Sequence, residues 1–145
     1  MAIVAWFLLA SPAGGSSPSP TSLLGAMNEV RTAHGLRPLR ADARLERAAQ
    51  AHSADMIRRR YFAHGRVAAR LTRYGARGRR FGENLAWAAG EAADARTIVR
   101  LWLTSRRHRA NLLRPGFRRV GIGALTGPFA GHGSALVITA DFAGR

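Results

Sequence analysis

The chain has 145 residues, 47% of them hydrophobic, which suits one domain around one core. It has no cysteine, so a disulfide framework and any thiolate metal site are excluded. All 23 basic residues are arginine and they stand against 8 acids, a formal charge of +15 that favours anionic partners: phosphate polymers, acidic lipids, acidic glycans or nucleic acid.

Residues 2–10 form an unbroken apolar run, shorter than the about 20 residues that span a bilayer. The run reads as the core of an export signal, with Ser11 and Ala13 as the small residues before cleavage after Ala13. Residues 1–13 are then a signal-peptide remnant and residues 14–20, rich in Gly, Ser and Pro, a flexible leader. The folded domain is expected over residues 21–145.

Leu23, Met27, Val30 and His34 recur at helical spacing and predict a first helix from about Ser22 to His34. Thr21 or Ser22 can cap it; Gly35 suits the left-handed position after it, and Pro38 blocks extension. A second helix is expected from Asp42, a natural N-cap, to about Arg60, with Leu45, Ala49, His52 and Met56 in one stripe and Asp55 poised to pair with Arg59. A short helix over Val67–Tyr74, a basic loop over residues 75–80 and a helix over Ala92–Thr104 follow. Residues 106–113 add one or two helical turns, stopped by Pro115-Gly116. Residues 117–126 and 134–142 then alternate as two strands, with residues 127–133 as the hairpin loop. Gly121 and Gly123 inside the first of these imply a close backbone approach or a bulge. Shorter strands are expected near residues 37–40 and 84–86. Helices packed on a small sheet make an α+β fold.

Three strings carry the chemistry: Phe62-Ala-His64, Gly82-Glu83-Asn84, and Ser105 to Leu113. His64 sits at a helix end behind two aromatics, where a histidine is either a surface cap or a functional group. Glu83 lies in an apolar segment and must be hydrogen-bonded or paired. His108 stands between Arg107 and Arg109, which disfavour imidazolium and keep the ring neutral, as a base or metal ligand requires. Ser105, three residues earlier, can share a helical turn with it, so a Ser–His–Glu hydrolase is conceivable, although no Gly-x-Ser-x-Gly elbow is present. His64, Glu83 and His108 together also match an open site for zinc or another divalent cation. His52 reads as a core-facing histidine; His34 and His132 carry no assigned role.

Taken in order, these strings resemble the CAP superfamily of cysteine-rich secretory proteins, venom antigens and plant pathogenesis-related proteins, in its compact bacterial, SCP-like branch. The resemblance runs through Met27–Leu36, Ala51–Met56, Tyr61–His64, Gly82–Ala86, Trp102–Ser105, His108–Leu113, Val120–Gly123 and Asp141-Phe142. It implies an α-β-α sandwich on a small central antiparallel sheet, with His64, Glu83 and His108 lining a cleft that binds a divalent metal in some members. Many eukaryotic members have a second glutamate where this chain has Ser105, and Pro-Gly where it has Arg106-Arg107.

The favoured expectation is an exported, extracellular or cell-envelope protein, monomeric and not transmembrane. It is expected to be a non-enzymatic binding module whose rim, Arg106, Arg107 and Arg109, meets an anionic envelope component or a lipid. The alternative is a metal-dependent or Ser/His-type peptidase or esterase using His64, Glu83, Ser105 and His108. Sequence-specific nucleic-acid binding is not expected, because the arginines are not interleaved with a row of aromatics and no reading motif is present.

Overall fold

A computed structural model describes residues 17–145; the expected export segment and residues 14–16 of the leader lie outside the described residues. The elements are α1 (Pro20–Ala33), β1 (Arg40–Ala41), α2 (Ala43–Arg59), α3 (Val67–Arg73), β2 (Arg80–Ala88), a 3-10 turn (Gly90–Ala92), α4 (Ala95–Thr104), α5 (Arg106–Leu112), β3 (Phe117–Phe129) and β4 (His132–Gly144). Among the described residues no helix is long and apolar enough to cross a membrane.

Capping decides the helix starts. The hydroxyl of Ser19, and not Thr21 or Ser22, caps α1 by accepting from the Ser22 N–H at 3.1 Å. Pro20 then occupies the first helical turn, where its missing N–H costs nothing, so the last residue of the leader belongs to the helix. Asp42 caps α2 as expected, accepting from Arg44 and Leu45 at 2.9 and 3.2 Å. Asp94 caps α4, which therefore begins at Ala95, three residues later than its composition suggests.

The sheet has the order β1-β3-β4-β2. β2, β3 and β4 are antiparallel, but β1 runs parallel to β3, so the sheet is mixed and not wholly antiparallel. Four helices and β2 lie between β1 and β3 and supply the long crossover that a parallel pair requires. β2 is also longer than the expected 84–86 segment, because it pairs along all nine residues with β4. The β3–β4 connection is not a seven-residue loop. Phe129 pairs with His132 across a two-residue turn in which Ala130 and Gly131 both have positive φ, 50° and 82°, as primed hairpin turns demand.

The alternation of β4 explains the two helical layers. Leu136, Ile138, Ala140 and Phe142 pack with Leu23, Met27, Ile98, Trp102 and Leu112 of α1, α4 and α5. Val137 packs with Met56 of α2, and Ala143 with Leu45 and Leu71 of α2 and α3. α2 lies almost against the β3 backbone: a Cβ on Gly121 would meet Leu45 and Glu46 main-chain atoms at 2.0 Å, and one on Gly123 the Ala49 carbonyl carbon at 2.4 Å. On the opposite face Arg31, fully buried, donates to the carbonyls of Arg37, Leu112, Arg114 and Phe117 at 2.7 to 3.2 Å, tying α1 to the end of α5 and the start of β3. The result is an α-β-α sandwich in which β2 is a free edge strand.

Candidate functional site

The free edge of β2 is where the two helical layers meet. Asn84 Nδ2 donates to the His108 carbonyl at 3.0 Å; Asn111 Nδ2 donates to the Glu83 carbonyl at 3.0 Å and to Asn84 Oδ1 at 3.1 Å. These bonds clip α5 to the strand edge. Gly82 leaves room for them, since a Cβ there would come within 2.9 Å of Asn111 Oδ1 and 2.8 Å of the Phe117 ring. The clip turns His108 towards His64, and the two ring centroids stand 6.4 Å apart. The three strings thus converge because two asparagines and a glycine dock one element on another.

Glu83 projects from β2 towards α2 and α3, opposite Asp141 of β4. Its side chain is 1% exposed. Oε1 accepts from His64 Nδ1 at 2.7 Å, and Oε2 accepts from Arg70 Nη2. Arg70 Nη2 also reaches Asp141 Oδ1 at 3.5 Å, while its Nη1 donates to the His64 carbonyl at 3.1 Å. One guanidinium therefore holds both carboxyls and the loop that carries His64. His52, core-facing as expected, donates from Nε2 to the Ala63 carbonyl at 3.0 Å and lies 3.9 Å from Glu83.

Burial dominates the electrostatics. It pushes the Glu83 carboxyl up to about 7, against the opposing pull of Arg70, and the Asp141 carboxyl up to about 8, where the Glu83 charge adds to the effect. Asp141 Oδ2 is buried without a hydrogen-bond partner among the described residues, a place that disfavours a full negative charge. The pair therefore shares a proton near neutrality, and Glu83 also faces Arg70 and His64. Burial lowers all three histidines. For His52 it does so to about 4, with Arg70 second; for His64, Arg70 and Arg107 add to it; for His108, His64 adds to it. The rings are accordingly neutral. With Nδ1–H of His64 given to Glu83, its Nε2 is the free acceptor.

This donor set does not fit a metal centre that uses Glu83 as a ligand. Both carboxylate oxygens are engaged, and a cation would have to displace a guanidinium. His64 and His108 alone fall short of the three protein ligands of an open zinc site, and among the described residues no three His, Asp or Glu form a metal-holding group. Ser105, between α4 and α5, caps neither helix with its side chain; it shares a pocket with His108 but makes no hydrogen bond to it among the described residues.

The expected arginine rim divides. Arg107 is close enough to His64 to lower its proton affinity. Arg106 and Arg109 instead line, with Arg114, a separate concavity that neither histidine borders. The cleft's other flank is apolar. A pocket of about 260 Å³ is bounded by Phe62, Leu85, Trp87, Leu101, Ser105 and His108. It adjoins one of about 520 Å³ through shared Phe62 and Trp87, where Phe129 and His132 complete an aromatic wall and Arg60 stands at the margin. Phe62, Trp87 and Leu101 are the exposed large hydrophobic residues among those described, 45%, 36% and 51% exposed, and all three lie on this trough.

Arg70, Asp141, Asn84 and Asn111 were given no role by sequence reasoning. Asp141 carried a signal, being the single acid between Arg96 and the chain end and set in an apolar strand. Arg70 carried none among 23 arginines.

Comparison with known proteins agrees with this architecture. Bacillus subtilis YkwD is 32% identical over 118 residues, covering 74% of this chain and 45% of that protein. The B. subtilis membrane protein YlbC is 32% identical over 110 residues, covering 72% and 31%. The chain thus spans less than half the length of either curated relative. An extracellular SCP-domain protein from Bacillus anthracis superimposes with a TM-score of 0.69 at 27% identity, over 86% of this chain and 40% of that one. A cysteine-rich secretory protein from Staphylococcus aureus, at 20% identity and a TM-score of 0.71 over 87% and 38%, shares the fold. The family pattern of cysteine-rich secretory proteins matches residues 24–142, nearly all of the described sandwich, and the chain belongs to this family, CAP.

Proposed function

We propose that this is an exported, envelope-associated domain that binds an amphiphile and does not transform it. The carrying observation is the trough: the exposed large apolar side chains gather on one groove that ends at the neutral His108 ring, with the neutral His64 ring 6.4 Å beyond it. The apolar part of the ligand lies along Phe62, Trp87 and Leu101. Its polar end meets His64 Nε2 and His108, with Arg107 offering charge to an anionic group. Export is supported by the apolar run at residues 2–10 and by the extracellular description of the B. anthracis relative.

The buried network supports binding over hydrolysis. Glu83 is locked between Arg70 and His64, and among the described residues Ser105 has no hydrogen bond to a base. The test is calorimetric titration of lysophosphatidylglycerol below its micellar concentration. Trp87→Ser is expected to weaken binding at least tenfold at unchanged thermal stability. Equal affinity in the variant sinks the proposal, as does turnover of ester or peptide substrates that disappears in Glu83→Gln.

A further inference from the structure

A second cavity lies apart from the trough. It is a space of about 940 Å³ between α2 and α3, walled by Tyr61 and Tyr74 and reaching His52 at depth. Its charge is one-sided. Arg66, Arg70 and Arg73 all line it, and their spacing of four and three residues places them on a single face of α3. α3 contains no acid, and among the described residues Arg66 and Arg73 have no ion pair. Like charges three and four residues apart repel along a helix face. The acid at the cavity, Asp55, is already bonded to Arg58, Arg59 and Tyr61.

We propose that this cavity is a second binding site, distinct from the trough, which takes a phosphate-bearing small molecule. Arg66 and Arg73 would grip the phosphate as planar forks, and its neutral remainder would rest against the tyrosines and Ala51, Ala54 and Ala69. The volume lies in the range of small-molecule sites. The site would also communicate with the cleft. Arg70 lines the cavity, yet it holds Glu83, Asp141 and the His64 carbonyl. Arg70 Nε has no partner among the described residues, so an anion there would share the guanidinium that holds Glu83 and the His64 carbonyl, and occupancy of the cavity would be felt at His64.

The experiment titrates inorganic phosphate and, separately, glycerol 3-phosphate into the described domain at constant ionic strength set with chloride. NMR follows the arginine Nε–H signals and the His64 ring. Saturable shifts at Arg66, Arg70, Arg73 and His64 are expected. Affinity should fall at least tenfold in R66Q/R73Q, both exposed positions, and change less than twofold in the charge-matched R37Q/R47Q. Tighter binding of the ester would show that the neutral walls contribute. Equal affinity of the two probes would show that the phosphate group alone is recognised. Equal weakening by both double variants would show only diffuse attraction and overturn the proposal, as would the absence of saturable shifts. The trough is judged independently by the Trp87→Ser titration.

Discussion

Both oxygens of Glu83 are held, Oε1 by His64 and Oε2 by Arg70, which makes an anchored counter-ion of a group that the sequence offers as a structurally paired, orienting or metal-ligating carboxylate. The change comes from two residues far from it in the chain, Arg70 and Asp141, which burial brings to the same carboxylate. A prediction follows for Asp141. Its carboxyl is held well above the ordinary aspartate range, so the folded state keeps a proton that the unfolded chain has lost above about pH 4. Stability from this group is full below that pH and is lost as pH rises towards about 8. The lowered histidines act in the opposite sense, but only below about 6.5, where the unfolded chain takes up protons. Between pH 6.5 and 8 the carboxyl effect stands alone, at up to about 1.4 kcal/mol per pH unit for one proton. Urea unfolding should show this decline in the wild type and a flatter profile in Asp141→Asn. An unchanged slope in the variant would contradict the shared-proton assignment.

At the scale of elements, the site depends on how α5 is docked. Seven residues of helix, flanked by arginines and carrying one buried leucine, would not hold position through apolar packing alone. The Asn84–Asn111 clip to the β2 edge does so, and Gly82 makes room for it. Asn111→Ala strips the donor from a strand carbonyl and from Asn84, and should cost roughly 1–3 kcal/mol in urea unfolding. It should also weaken the cross-peaks between the His64 and His108 rings. Loss of stability with the ring contacts intact would mean that α5 is positioned by something else. Elements whose partners are local were readable in advance: Asp42 and Gly35 do what their types suggest, and α2 buries the expected stripe. The misjudged elements have distant partners. β2 extends because β4 lies beside it, and the hairpin tightens because β3 and β4 pair to their ends.

For the whole molecule, a formal charge of +15 on 145 residues opposes compaction. Several arginines are absorbed internally, Arg31 by four carbonyls, Arg70 by two acids and Arg119 by Asp42, but most remain on the surface. Raising sodium chloride from 0.01 to 0.15 M shortens the screening length from about 30 to about 8 Å. The urea midpoint should therefore rise; a fall would mean that attractive pairs outweigh the repulsion. Fold class could be read from helical periodicity, caps and glycine positions, which are local properties of the chain; the family, and with it the expectation that His64, Glu83 and His108 share a cleft, rested on the resemblance of the ordered motifs. The role of each group in the cleft could not be read from the sequence. Whether a carboxylate is free or locked, and whether three neighbouring arginines face one groove or two, depends on which distant residues share a low-dielectric interior. Only the packing of α3 and β4 around Glu83, and the rotation of α5 that separates Arg107 from Arg106 and Arg109, decides those points.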